Sequence, residues 1–173
     1  MKFLRATHLV ILARYQGSRL RDYIESKIES WLGLEINRDK TKVIDLWQTG
    51  ATLDFLGYTF RYDRDLKGRG FRYLNVTPSR KALEAEREKL RKRINKHRSH
   101  VPVPELIEDV NRQMRGWSEY FSFGYPRKAK RSINWFVRSR IIKHLRRRSQ
   151  RPFRPPKGRS YYQHLKELGL IYL

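Results

Sequence analysis

Several residue types are scarce or absent in this chain of 173 residues, and each shortage excludes a class of protein. There is no cysteine, which excludes a disulfide framework, a thiolate zinc site and a cysteine nucleophile. A chain without cysteine fits a reducing compartment, so we expect a cytoplasmic protein. Apolar runs are also short: none approaches the length of a transmembrane span, and residues 1–10 lack the pattern of a signal peptide.

Acidic residues are the second shortage. The chain has 17 aspartates and glutamates against 40 lysines and arginines, a formal net charge of +23. Hydrophobic residues at 39% and aromatic residues at 13% are enough to build a core, so this is not merely a disordered basic tail. No predicted helix pairs a wide apolar face with a cationic one, which argues against a membrane as the partner. The charge therefore indicates a polyanionic partner.

Basic and aromatic residues are concentrated together in residues 111–160. This stretch has 16 arginines and lysines against one acid, Glu119. Its aromatic residues are Trp117, Tyr120, Phe121, Phe123, Tyr125, Trp135, Phe136 and Phe153. Phosphates attract the cations and unstacked bases stack on the rings, so the pattern is typical of nucleic-acid binding.

The first half of the chain is predicted to be rich in β-structure. Short runs of branched and aromatic residues predict strands at 9–15, 34–37, 41–46, 53–62 and 71–76. One helix interrupts these strands and stops at Gly33. Its apolar face consists of Leu20, Tyr23, Ile24, Ile28, Trp31 and Leu32.

The second half is predicted to be helical and basic. Thr77-Pro78 is a plausible cap and first turn of a helix that ends near His97, and the Val-Pro-Val-Pro sequence at 101–104 breaks the chain after it. The apolar stripes of three successive helices are Leu83, Leu90 and Ile94; Leu106, Ile107, Val110, Met114 and Trp117; and Ile133, Phe136, Val137, Ile141 and Leu145. A proline-rich basic linker at 151–158 and a short helix at 160–168 follow.

Three phrases of the sequence resemble one known family. They are LGLEINRDKTKVIDL at residues 32–46, FLGYTFRYD at 55–63 and NRQMRGWSEYFSFG at 111–124. In this order they are similar to the C-terminal half of group II intron-encoded reverse transcriptases, the maturases. The first resembles the late palm, the second the strand that grips the primer, and the third the start of the maturase-specific thumb, called domain X. The resemblance extends over residues 9–173.

The resemblance implies an α+β fold in which a small antiparallel sheet with one helix, a partial reverse-transcriptase palm, precedes a basic, thumb-like bundle of three helices. The implied domains are a palm remnant at 1–77, domain X helices at 78–150, and a basic linker with a short helix at 151–173. The chain would then correspond to the rear palm and thumb, without the fingers, the palm strand bearing the third metal-binding aspartate, or a C-terminal endonuclease domain.

The family's catalytic carboxylates have no counterpart in this sequence. Relatives carry Tyr/Phe-Ala-Asp-Asp just before the strand that matches 9–13, and its aspartates bind magnesium. The matching residues 5–8 are Arg-Ala-Thr-His, with Thr7 and His8 where the acids should be. A hydroxyl and an imidazole cannot replace two carboxylates at a magnesium site. We therefore expect no enzyme activity, and a vestigial role for Lys40, which matches a lysine near the incoming nucleotide.

Candidate nucleic-acid contacts come partly from the resemblance and partly from charge. Gly57 and Tyr58 match the primer-gripping strand; Arg115 and Tyr120 match the opening of domain X, whose Trp117 we expect in the core. An ordinary core strand and a solvated charged face are the alternative interpretations. The further cations are Arg112, Arg127, Lys128, Lys130, Arg131, Arg138, Arg140, Lys143, Arg146, Arg147, Arg148, Arg151, Arg154, Lys157 and Arg159.

No metal or cofactor site is predicted in the chain itself. Asp63 and Asp65 fit a polar turn better than a metal pair, and the five histidines lack ligand spacing. Magnesium would be present only through bound RNA.

The resulting hypothesis is a non-catalytic protein that binds and stabilises structured, intron-like RNA, with DNA as a possible competitor. The alternatives are a fragment of a split reverse transcriptase that needs a separate fingers-palm polypeptide, and an RNA-clamping subunit of a larger ribonucleoprotein. A decayed gene product without function would also fit the sequence.

Overall fold

A computed structural model describes residues 9–15, 17–65, 67–151 and 153–173. The chain divides into two compact units, Met1–Asp45 and Leu46–Leu173. The described residues form an α+β structure with five α-helices and a three-stranded antiparallel sheet. The α+β class is thus confirmed, while the palm-plus-thumb arrangement and the boundaries at residues 77 and 150 stay predictions.

The first unit contains the predicted helix. Helix α1 spans Ser18–Ser26, continues as a π-helical turn over Lys27–Trp31, and is followed by Gly33 at φ 62°. The strands predicted at 9–15, 34–37 and 41–46 are wrong, since these residues have no strand pairing. A strand is stable only when a neighbour accepts and donates its backbone hydrogen bonds. None of the described residues of this unit is buried.

The sheet opens the second unit. Strands β1 (Leu53–Phe55), β2 (Tyr58–Arg64) and β3 (Arg72–Pro78) pair in the order β1-β2-β3. The single strand predicted at 53–62 is wrong, because Leu56 and Gly57 have φ values of 48° and 81° and turn the chain between β1 and β2. Positive φ at both central residues is the signature of a tight type I′ hairpin.

Four helices follow the sheet: α2 (Arg80–Arg93), α3 (Val103–Tyr120), α4 (Arg127–Arg147) and α5 (Tyr161–Glu167). Helix α2 starts later than predicted, because Thr77 and Pro78 belong to β3 and the Ser79 hydroxyl caps the helix by accepting from the Ala82 N–H at 3.2 Å. A short 3₁₀ turn, Lys96–Arg98, links α2 to α3.

The core lies between these helices. All five residues of the predicted α3 stripe are buried, including Trp117, and so are Ile133, Val137, Ile141 and Leu145 of α4. Leu165 of α5 and Leu170 join the same cluster. Helical periodicity therefore predicted these buried faces correctly, apart from Leu83 and Phe136, which are half-buried at the edge.

Two asparagines attach the C-terminal segment, residues 169–173, to this core. The Asn111 side chain donates to the Gly169 carbonyl at 2.8 Å and accepts from the Ile171 N–H at 3.1 Å. The Asn134 side chain donates to the Leu173 carbonyl at 3.1 Å and accepts from the Leu173 N–H at 3.0 Å. These contacts position the C-terminal segment against α3 and α4.

Candidate nucleic-acid interface

Helix α4 combines a buried apolar stripe with a dense set of cations, and it contains no acid. Among its predicted contact residues, Arg127, Lys128, Arg131, Lys143, Arg146 and Arg147 are exposed, and Lys130, Arg138 and Arg140 are half-buried, as is Arg148 at its C-cap. None of the ion pairs within the described ranges involves a cation of α4. The charge of this helix is thus available to an external anion.

Some of these cations also have structural contacts. The Arg140 Nη2 donates to the Ile94 carbonyl at 3.3 Å. The Arg146 Nη2 donates to the Tyr161 hydroxyl at 3.1 Å, and its guanidinium lies 5.3 Å from the centre of that ring. These two residues therefore help to hold the helices together, whatever else they bind.

A buried histidine lies on the same helix. His144 is almost fully buried, and its pKa is lowered by burial first and by the neighbouring Arg148 second. The charges of Arg98 and Arg140 act on the pKa in the same direction, while a hydrogen bond with the Asn95 backbone opposes them. His144 is therefore kept neutral beneath the cationic surface.

The hairpin turn at Leu56-Gly57 packs against the end of α3. The Tyr58 hydroxyl donates to the Tyr120 carbonyl at 2.6 Å, and the Tyr120 hydroxyl donates to the Leu56 carbonyl at 3.0 Å. A Cβ on Gly57 would lie 3.2 Å from the Phe121 ring. Gly57 and Tyr58 are thus packing residues here, while Tyr120 remains 57% exposed.

The remaining predicted cations lie outside α4. Arg112 and Arg115 are exposed on α3, and Arg115 has an ion pair with Glu108 at 3.8 Å. Arg151, Arg154, Lys157 and Arg159 are exposed in the non-helical segment before α5, where Arg159 contacts the Glu167 carboxylate. Their contact with nucleic acid stays a prediction.

The residues at the expected polymerase positions contribute little to the described structure. Thr7 and His8 lie outside the described residues. Lys40 is exposed in a turn, where its backbone N–H bonds to the Asn37 carbonyl at 3.2 Å. Within the described ranges, no group of three His, Cys, Asp or Glu side chains could hold a metal ion.

A groove between α4, α5 and the C-terminal segment combines two predicted contact residues, Arg131 and Arg138, with residues that the sequence analysis did not select. It has a volume of about 360 Å³ and is lined by Arg131, Asn134, Trp135, Arg138, Tyr162, Tyr172 and Leu173. Trp135 is 62% exposed and Tyr162 is 42% exposed. The sequence did contain one indication of this groove, because the spacing of Arg131, Trp135 and Arg138 places them on one face of a helix.

The helical region of the chain matches a known protein family. Residues 83–162, from α2 into α5, match the family model of the group II intron, maturase-specific domain. This region of the chain is therefore similar to a maturase-specific domain. This confirms the resemblance that the third sequence phrase, at residues 111–124, indicated. The matched range contains every exposed cation of α4 and the whole basic segment after it.

None of the curated proteins compared matches the chain. Across the residues that the structure describes, no helix is both long and apolar enough to span a bilayer.

Proposed function

We propose that this protein binds structured, intron-like RNA through its maturase-specific domain and holds that RNA in its active fold. The match of residues 83–162 to the group II intron maturase-specific domain is the observation that carries this proposal. In this proposal the protein contributes binding, and any splicing chemistry belongs to the RNA. DNA competes for the same cations only as a second polyanion.

The charge distribution supports a polyanionic partner. Helix α4 is 21 residues long and contains no carboxylate, and the ion pairs found among described residues leave its cations unneutralised. Each phosphate contact releases condensed counterions and so contributes to affinity, which means that this surface favours RNA most strongly at low salt. Exposed rings such as Tyr120 can in addition stack on unpaired bases.

The non-catalytic part of the proposal depends on residues 5–8. By the resemblance described above, Thr7 and His8 correspond to two metal-binding aspartates of group II intron reverse transcriptases. Without these carboxylates, the chain would not hold the magnesium ions that activate a primer end. We therefore expect no nucleotide incorporation by the purified protein in the presence of magnesium.

A binding titration tests the proposal. A group II intron RNA and a size-matched, unrelated structured RNA would be titrated at about 50 mM and at about 200 mM salt, a range over which purely ionic binding loses orders of magnitude in affinity. We expect intron RNA to retain measurable affinity at the higher salt while the control RNA loses it. Equal loss for both RNAs would reduce the protein to a general polyanion clamp, and no binding at low salt would refute the proposal.

A second candidate is a fragment of a split reverse transcriptase that docks onto a separate fingers-palm polypeptide. One observation favours it: the described part of Met1–Asp45 buries no residue and leaves Leu12 at 79% and Trp31 at 77% exposure. Apolar surface of this kind is typical of interaction sites. A purified chain that is monomeric and melts cooperatively would count against this candidate, whereas concentration-dependent association would favour it.

A further inference from the structure

The groove beside Trp135 is built from three separate parts of the sequence. Helix α4 provides Arg131, Trp135 and Arg138, at positions i, i+4 and i+7 of one face. Helix α5 provides Tyr162, in a first turn that is fixed by a capping box between Ser160 and Gln163. Asn134 holds the backbone of Leu173 through both ends of its amide group, which places the neighbouring Tyr172 in the groove.

The aromatic rings of the groove are arranged for stacking. The centres of the Tyr162 and Tyr172 rings lie 4.3 Å apart, with an angle of 32° between their planes. Trp135 makes no ring contact with another aromatic residue among those described, and most of its surface is exposed. An exposed indole beside a tyrosine pair offers an aromatic surface to a planar ligand.

Two arginines, Arg131 and Arg138, are the cations of the groove. Neither Arg131 nor Arg138 has a side-chain hydrogen bond or ion pair within the part of the chain that the structure describes. Burial raises the pKa of the Tyr172 hydroxyl, with Tyr162 adding to the effect and Arg138 opposing it. Tyr172 therefore stays protonated and uncharged at neutral pH, and the two arginines are the positive groups of the groove.

From this geometry we propose that the groove binds one unpaired nucleotide of an RNA, with its base stacked on Trp135 and its flanking phosphates at Arg131 and Arg138. The volume of about 360 Å³ lies within the range of pockets that hold small ligands. The Asn134 amide is engaged at both ends by Leu173, which leaves it poorly placed to read the edge of the base. Recognition in the groove is then by stacking, which tolerates any base.

This inference rests on the proposed RNA-binding function, and its test separates the two. Trp135→Ala would be compared with Phe123→Ala, which removes another exposed ring, 68% exposed, outside the groove. The probes are a single-stranded adenylate hexanucleotide and a blunt-ended RNA duplex. We expect Trp135→Ala to weaken hexanucleotide binding by about 5- to 150-fold, the range for one lost base stack, and to leave duplex binding unchanged.

Replacing Arg131 or Arg138 tests the phosphate contacts independently of base stacking. Arg131→Gln or Arg138→Gln should lower the slope of log affinity against log salt by about 1 each, whereas Trp135→Ala should leave that slope unchanged. Thermal melting would verify that each variant is folded. Two results would show that the groove does not bind a base. One is that Trp135→Ala and Phe123→Ala bind the hexanucleotide like the unaltered protein. The other is that Trp135→Ala weakens duplex and hexanucleotide binding equally. If the unaltered protein binds neither probe nor a structured RNA, the proposed function fails as well.

Discussion

At the scale of single residues, the loop between α3 and α4 has a glycine with a positive φ that is also closely packed. Gly124 has φ 77°, and a Cβ built there would collide with the Val76 carbonyl oxygen and lie 2.8 Å from the Val76 Cβ. The next residue, Tyr125, donates its N–H to the same carbonyl oxygen at 2.7 Å. Glycine is required at position 124 because the loop must approach β3 closely.

Replacing Gly124 with alanine should therefore destabilise the protein by about 2–4 kcal/mol, from left-handed backbone strain together with the clash. Gly116 is the matched control, since it lies inside α3 and a Cβ added there would have open space around it. Gly116→Ala should stabilise the helix by up to about 1 kcal/mol. Urea denaturation measures both changes, and equal stability of the two variants would contradict the role given to Gly124.

Glu86 is a buried acid that the helical pattern did not predict. It is 1% exposed, and its Oε2 accepts a hydrogen bond from the Gln113 Nε2 at 2.8 Å. Burial raises its pKa above the ordinary value of 4.5, although the hydrogen bond and the charges of Lys89 and Arg93 oppose the shift. The folded protein thus retains this proton to a higher pH than the unfolded chain does.

The raised pKa of Glu86 predicts how stability depends on pH. An acid with a raised folded pKa loses stability as the pH rises from the unfolded pKa through the folded one. Glu86→Gln should therefore raise the melting temperature at pH 8 and change it less near pH 4. Glu88→Gln, at an exposed position of the same helix, is the control and should have little effect at either pH. A lower melting temperature for Glu86→Gln at pH 8 would show that the carboxylate is stabilising.

At the scale of elements, the buried faces of helices could be predicted from the sequence, whereas the pairing of strands could not. The stripes of α3 and α4 follow from periodicity, because a helix satisfies its own backbone and needs only one apolar face. The strands expected before residue 47 failed, because a strand depends on a neighbour that no local pattern specifies. The contacts of Asn111 with residues 169 and 171 are also invisible in sequence, since they join positions 58 and 60 residues apart.

The candidate interface was predictable in its charge but not in its assembly. The cations of α4 were identified because charge is read directly from composition and spacing. The groove around Trp135 was missed, since it exists only when α5 and residues 172–173 pack beside α4. Leu56 and Gly57 were wrongly assigned to a strand, because the positive φ of Leu56 cannot be anticipated from a leucine.

Removing the Asn111 side chain tests the attachment of the C-terminal segment. Asn111→Ala leaves the Gly169 carbonyl and the Ile171 N–H without their partner, so we expect a loss of about 2–4 kcal/mol in the free energy of unfolding. Arg112→Ala, at the adjacent exposed position, should change that free energy by less than about 0.5 kcal/mol. Similar denaturation midpoints for both variants would show that the attachment adds no stability.

At the scale of the whole molecule, the large positive net charge affects the stability of the fold. A formal charge of +23 on 173 residues repels itself in the compact state, and this repulsion lowers stability until anions screen it or bind. The strongest local contribution comes from α4, which has no carboxylate along its length.

Polyanions should therefore stabilise the protein. At low salt, a polyphosphate added at about 100 times its dissociation constant should raise the melting temperature by about 5–10 °C, since binding of that strength adds about 2.7 kcal/mol. The increase should shrink at about 200 mM salt, where ionic binding weakens. Differential scanning calorimetry measures it, with polylysine as the control polymer. An unchanged melting temperature after adding polyphosphate at low salt would contradict the prediction.

The dependence of the core on Leu165 and Leu170 has a consequence for biosynthesis. Both residues are buried in one cluster with side chains of α2, α3 and α4, which the ribosome translates well before them. Until residues 165–170 have been added, the earlier helices have an uncovered apolar face, and the Asn111 amide has no Gly169 carbonyl to bind. A nascent chain at that point is prone to aggregate. A translational stall before residue 165 would therefore leave a product for chaperones or proteases.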